Sequence, residues 1–446
     1  VGGVNNIPLS KTFWGCDFLD VFIVFGVLII LILLGIPVAF SMGLSTLLAI
    51  YLKGTWNVTV ILSQRIYSGA TSFVLFAIPF YILAGLLMNQ GGMTQKIMKF
   101  AQLVVGRVSG GLGHVNILAS MVFSGMSGSS VADASGLGVV EIETMSAAGY
   151  DKRFSAAVTA ASATIGPIVP PSIPFVIYGG IAGVSVGRLF LGGIIPGVFM
   201  GLGLMIAVYI VSKKRSYPIT KEKFSLREII SSGISALLAV GSIIIILGGI
   251  IGGIFTPTEA AVVASIYAFI VGTIIFRDLK ISQIPSILAE TARHSIRVLF
   301  IIGVAASYTW ALTLLHVPQK VVALFGNISS HPILVLLIIN GLLLLLGCFM
   351  ETISIMLLTI PILLPVVVNI GMDPIHFGVM MTLNLMIGQL TPPMGILLYS
   401  VSGISKIPIQ QIIPELKPYL IALLTVLLII TFVPSITLFL PNILMG

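Results

Sequence analysis

Two stretches of the 446-residue chain gather oxygen-bearing side chains, small residues and a single acid. They are Phe123-Ser124-Gly125-Met126-Ser127-Gly128-Ser129-Ser130-Val131-Ala132-Asp133 and Cys348-Phe349-Met350-Glu351-Thr352-Ile353-Ser354. Each is followed by a stretch that cannot stay helical, Thr164 to Pro174 in the first case and Asn384 to Gly395 in the second. Pro167, Pro170, Pro171 and Pro174 fall within eight residues; each removes an amide donor and clashes with the preceding turn. Unwinding frees backbone carbonyls, and these join the hydroxyls as hard, neutral oxygen ligands of the kind that suit Na⁺. The candidate cation ligands are Ser127, Ser129, Asp133, Thr164, Gly166 and Pro167 in the first set, and Glu351, Thr352, Gly388 and Thr391 in the second. A helix starting near Ser130 would attract an anion. Close helix packing would explain the serine and glycine cluster equally simply, and capping would explain Asp133.

The elements that position these residues lie in a bilayer. Only 22 basic and 14 acidic residues are present, 8% of the chain, against about 25% in soluble domains. Mean hydropathy is +1.17. Runs such as Val21 to Ala39 and Ile421 to Leu438 approach the roughly 20 apolar residues of a membrane span. A soluble enzyme is excluded. Cys16 and Cys348 are too far apart in sequence to suggest a disulfide framework or a thiolate cluster. The five histidines (His114, His294, His316, His331, His376) lack metal-ligand spacing, so no metal beyond Na⁺ and no organic cofactor is expected. The net charge of +8 fits cytoplasmic loops, and no nucleic-acid partner is expected. No cleavable signal-peptide pattern is present.

Apolar blocks lie near 18–51, 72–92, 114–147, 154–178, 188–212, 229–252, 255–276, 297–315, 333–370, 376–399 and 417–440. The first reads as one long helix or as two parted at Gly35-Ile36-Pro37. Intervals 52–71 and 277–296 mix charge with apolar residues and read as interfacial helices. Placing the loops around 93–113, 146–153, 213–227, 277–297 and 400–417 in the cytoplasm puts 17 of the 22 basic residues on that side. Blocks 114–147 and 333–370 must then enter and leave on one face, as re-entrant hairpins whose arms are shorter than a full span. Glu351 falls at about the place of Asp133 in the other hairpin.

An internal repeat supports this reading. Val74-Leu75-Phe76 matches Val298-Leu299-Phe300, Ile165-Gly166 matches Ile387-Gly388, and Pro170-Pro171 matches Pro392-Pro393. Five crossings between equivalent points turn the second copy upside down. The expected fold is an all-α polytopic membrane protein made of inverted repeats with two re-entrant helical hairpins, a secondary-transporter architecture. The first repeat is 1–223, with arm 52–71, hairpin 114–147 and broken helix 154–178. The second is 224–446, with arm 277–296, hairpin 333–370 and broken helix 376–399. Phe255-Thr256-Pro257-Thr258-Glu259-Ala260 reads as a helix start.

Four of these motifs resemble the large membrane subunit of TRAP transporters (tripartite ATP-independent periplasmic transporters). They are Ser127 to Asp133, Gly166 to Ile173, Phe255 to Ala260 and Gly388 to Gly395, in the family's order along nearly the whole chain. The resemblance implies an elevator-type carrier in the bacterial inner membrane, driven by a Na⁺ gradient without ATP. It implies a small four-helix membrane subunit and a periplasmic substrate-binding protein as partners. Some members carry the small subunit fused ahead, and the polar stretch Val1 to Asp17 without Met fits a cut from such a fusion. An organic acid would be met by Ser129, Ser130, Pro170, Pro171, Asn384 and Gln389. The family's substrates include C4-dicarboxylates and sialic acid, and Gly149 to Gly180 looks closer to the sialic acid branch. The rival within transport is a stand-alone Na⁺-coupled anion carrier. From another class, Gly125-Met126-Ser127-Gly128 matches the GxSG of rhomboid-like proteases, but such catalysis needs a base within reach of Ser127, and no histidine falls beside it in this topology.

Overall fold

Prolines and glycines decide where the helices stop. The computed structural model describes residues 13–53, 59–127, 130–217, 225–326 and 331–446, and every regular element among them is helical. The first half contains α1 (Phe13–Leu33), α2 (Val38–Leu52), α3 (Thr59–Ala70), a 3₁₀ turn at Phe73–Phe76, α4 (Ala77–Gln90) and α5 (Met93–Val105). It continues with α6 (Gly111–Ser127), α7 (Ser130–Ala147), α8 (Lys152–Ser162), α9 (Ile173–Ala182) and α10 (Val186–Arg215). The second half contains α11 (Leu226–Ile251), α12 (Pro257–Ile270) with a π turn at Val271–Ile275, α13 (Ile284–Leu314) and α14 (Val317–Gly326). It ends with α15 (Pro332–Phe349), α16 (Thr352–Asn369), α17 (Pro374–Leu390), α18 (Ile396–Ser405), α19 (Ile409–Phe432) and α20 (Ser435–Leu444). Eight helices among the described residues are long and apolar enough to cross a membrane.

The first block takes the second of its two expected forms, a pair of helices, because Gly35 takes φ +82° and Pro37 opens α2. Other boundaries differ from the sequence reading. The run from Ile421 to Leu438 is also broken, between Phe432 and Ser435 at Val433-Pro434. Block 277–296 is no separate arm: α13 runs unbroken from Ile284 through 296 to Leu314, with its proline harmlessly in the first turn. The corresponding stretch of the first half does divide, into α3 and α4. The hairpin arms are longer than expected. With 17 or 18 residues each, they extend about 27 Å at 1.5 Å per residue, so length alone does not hold the tips at mid-membrane.

The second half repeats the order of the first, and the correspondence reaches single residues. Gly149 and Gly371 both take positive φ just before an Asp that caps the next helix. Asp151 accepts from the Arg153 amide, and Asp373 from the Ile375 amide. In both halves an asparagine of the hairpin's first arm is bonded to the broken helix. The Ser162 hydroxyl donates to Asn116 Oδ1 at 2.6 Å, and Asn384 Nδ2 donates to Asn340 Oδ1 at 2.7 Å. Both Pro-Pro bonds, Pro170-Pro171 and Pro392-Pro393, are cis.

Helix packing sorts most of the elements into two groups, and α6 of the first hairpin touches both, packing on α4 and α5 as well as on α7, α8 and α10. In one, α13 lies on α2, α3 and α4, while α12 lies on α4 and α11. Ser265 donates to the Phe80 carbonyl and Tyr81 to that of Pro257, which ties α12 to α4, and Thr258 donates to the Phe73 carbonyl in the 3₁₀ turn before α4. Thr256 and Glu259 close a capping box at the start of α12, so capping accounts for Glu259. In the other group, α15 packs on α17, α7 on α8 and α18, and α16 on α9, with α10 and α19 alongside. Each hairpin's second arm thus leans on the helix that follows the other half's break. Residues 154–162 of α8 and 375–390 of α17 are buried on every face, so the broken helices form the core of this group.

Candidate functional site

Both proline-rich stretches interrupt helices as their composition requires. The first break spans 163–172, between α8 and α9; Ser172 caps α9 by accepting from the Phe175 amide at 3.2 Å. The second spans 391–395, between α17 and α18, where Gly395 takes φ +56° and donates its amide to the Cys348 carbonyl at 3.0 Å. That bond ties the second hairpin tip to the second break. Gly347 and Gly388 bring α15 and α17 together: a Cβ on Gly347 would lie 2.9 Å from the Gly388 Cα, so the backbones touch with no room for a side chain.

Gln389 joins the tips of both hairpins. Ser130, the first residue of α7, donates its hydroxyl to Gln389 Oε1 at 2.7 Å. Gln389 Nε2 donates in turn to the hydroxyl of Thr352, the first residue of α16, at 2.8 Å. All three side chains are buried. The single amide therefore satisfies two buried hydroxyls from opposite halves, and its own donor and acceptor are used together. A cavity of about 690 Å³ opens beside it, within the size range of small-molecule sites. Ser130, Pro167, Glu351, Thr352 and Gln389 line it from one helix group. Asn89 of α4 and Glu290, His294 and Arg297 of α13 line it from the other.

The candidates scatter around this centre. Ser130, Pro167, Glu351, Thr352 and Gln389 are brought together at the cavity. Thr164 and Thr391 end their helices, with hydroxyls donating to the Ala161 and Ile387 carbonyls at 2.6 and 2.7 Å. Gly166, Pro170 and Pro171 are buried within the first break, while Gly388 is buried at the close approach to α15. Asn384 lies elsewhere. Its amide nitrogen donates to Asn340, whose own nitrogen reaches Thr431 at 3.3 Å, so it ties α17 to α15 and α19, while its Oδ1 is buried without a hydrogen-bond partner among the described residues. Ser127 closes α6, and Ser129 falls outside the described residues. Asp133 and Glu351 prove not to be counterparts. Glu351 immediately precedes α16 and lines the cavity, whereas Asp133 is the fourth residue of α7 and is buried. The structural partners across the halves are Ser130 and Thr352.

Sequence reasoning missed the contribution of α13. The charge pattern puts the interval around 277–297 in a cytoplasmic loop, whereas Arg297 lies within α13 and lines the cavity. The signal was present: Glu290, His294 and Arg297 recur at i, i+4 and i+7, one stripe of a helix leading into an apolar span.

Residues 25–436 match the family model described as the tripartite ATP-independent periplasmic transporter, DctM component. The sialic acid TRAP transporter large permease protein SiaM of Vibrio cholerae is 44% identical, over 93% of this chain and 97% of its own length. The C4-dicarboxylate TRAP transporter large permease protein DctM of Pseudomonas aeruginosa is 38% identical, over 90% and 94%. The fold is shared with the YdaH transporter of Alcanivorax borkumensis, whose structure matches with a TM-score of 0.64 at 14% identity, over 86% of this chain and 89% of the other. These matches make the chain a transporter component of the inner membrane, not an enzyme. It belongs to the DctM family, the large permeases of tripartite ATP-independent periplasmic transporters.

Proposed function

We propose that this chain carries an organic acid inward with Na⁺, as the permease of a three-part system completed by a small membrane subunit and a periplasmic binding protein. Sialic acid is the first substrate to test, because the sialic acid relative is 44% identical against 38% for the C4-dicarboxylate one. The observation that carries the reading is the Gln389 bridge, which fixes two hairpin tips and an unwound helix at the edge of one cavity. The charges of that cavity support coupling to a cation. Among its lining residues Arg297 and His294 stand beside the acids Glu290 and Glu351, and bound Na⁺ would add to the positive charge that an entering anion meets.

Na⁺ is assigned to two sets of oxygen ligands, one per half. The first comprises Ser127, Ser129, Asp133, Thr164, Gly166 and Pro167; the second comprises Glu351, Thr352, Gly388 and Thr391. The Thr164 and Thr391 hydroxyls, each held by a helix-end carbonyl, have lone pairs left to offer. The substrate side is Ser129, Ser130, Gln389 and the first break with Pro170 and Pro171. Asn384 acts through α17 by fixing its position. The hairpins and broken helices would move as one body against α2, α3, α4, α12 and α13, consistent with the cavity lying between the two helix groups.

The test is uptake by the reconstituted three-part assembly, with sialic acid and succinate offered separately and the Na⁺ gradient present or collapsed. Uptake should require the gradient and both partners. Asp133→Ala and Thr391→Ala should each weaken the Na⁺ dependence while leaving thermal stability nearly unchanged. Robust uptake by this chain alone would replace the reading with a stand-alone carrier, and wild-type Na⁺ dependence in both variants would remove these residues from the cation sites.

A further inference from the structure

All the charge on one wall of the cavity comes from a single helical stripe. Glu290, His294 and Arg297 of α13 face it, while the opposite wall offers the Ser130 and Thr352 hydroxyls, the Gln389 amide and the Glu351 carboxylate. His294 Nε2 lies 3.9 Å from Glu290 Oε1, so any charge on its ring is directed at that neighbour. Arg297 makes no ion pair among the described residues. A guanidinium is always charged and presents donors in a planar fork that matches a carboxylate. It sits on α13, which packs mainly on α2, α3 and α4 and more lightly on α16 of the second hairpin.

We infer that Arg297 is the residue that reads the carboxylate of the transported acid, from the α13 side of the cavity. This rests on the reading that the cavity carries an organic acid. Without Arg297, a carboxylate entering the cavity would face Glu290 and Glu351 with no fixed, unshared cation on either wall. The remaining polar groups on the hairpin side are neutral, so they suit the hydroxyl and amide groups of a substrate. Charge is therefore recognised from α13, and shape from the hairpin tips. An acid bound this way spans the two helix groups, and its release from Arg297 accompanies their separation.

Charge-matched probes on the complete reconstituted assembly test this. Sialic acid and succinate are each paired with a methyl ester that removes a charge, and the acid taken up by the wild type is scored against its own ester. Arg297→Gln should raise the acid concentration for half-maximal uptake by about tenfold or more and leave the ester's nearly unchanged, collapsing the preference for charge. Arg297→Lys should recover part of that preference. Na⁺-dependent thermal stabilisation of the purified chain should be the same in all three proteins. An unchanged acid dependence in Arg297→Gln overturns the assignment, and so does an equal loss for acid and ester, which is the mark of a structural role. A wild-type assembly that takes up neither acid refutes the transport reading instead. Calorimetric binding of the same acids to the purified chain, wild type against Arg297→Gln, then decides the role of Arg297 separately: Arg297-dependent binding upholds it, and no such dependence overturns it.

Discussion

The two halves share a frame but differ at its centre. Asn116 and Asn340 each bond their hairpin to a broken helix, Asp151 and Asp373 each cap that helix, and Ser130 and Thr352 each begin a second hairpin arm. The residue that joins the halves, Gln389, exists in the second only; Pro167 stands at the matching place in the first, 222 residues earlier. Gly347 and Gly388 touch in the second half, and glycine also stands 222 residues before each of them, at Gly125 and Gly166. A duplicated frame can build symmetric walls, but a substrate without that symmetry needs unlike groups at the point where they meet.

The largest effect should come from removing the unlike residue. Gln389→Ala leaves the Ser130 and Thr352 hydroxyls without their partner, at about 1–3 kcal/mol for each buried group. Initial uptake rates should fall by about tenfold or more. Rates within twofold of wild type would mean that the bridge does not organise the site. The shared frame should respond differently. Asn116→Ala and Asn340→Ala should each cost about 1–3 kcal/mol of stability, by similar amounts, read as shifts in thermal unfolding in detergent. Clearly unequal shifts would show that the paired asparagines do not support their halves alike. The smallest effect belongs far from the cavity. Glu259→Ala opens the capping box of α12, a feature α2 lacks, since it starts at Pro37 without a side-chain cap. It should lower the unfolding temperature only slightly and leave the concentration dependence of uptake unmoved.

Much of the frame was legible because its signals are local. Hairpins 114–147 and 333–370 correspond to α6–α7 and α15–α16 almost to the residue, since glycine, serine and proline mark turns wherever they occur. Proline clusters likewise located both unwound stretches. Errors arose where local signals compete. Charges at 277–296 suggested an interfacial arm, but the stretch has helix-forming residues and no interior breaker, so α13 continues through it. Asn384 sits close to the break in sequence, yet its amide nitrogen donates to Asn340 and it is not among the residues lining the cavity.

Composition alone determined that this chain lies in a membrane, because 36 charges cannot cover the water-facing surface of a soluble fold of 446 residues. The spacing of prolines, glycines and hydroxyls determined where helices stop, since those effects act within a turn or two of the residue. Only the tertiary structure decided which stops meet. Ser130 and Gln389 are 259 residues apart, and Arg297 comes from a third segment. Nothing in a local pattern encodes such a meeting; it follows from how buried helices pack and which buried polar groups must find one another.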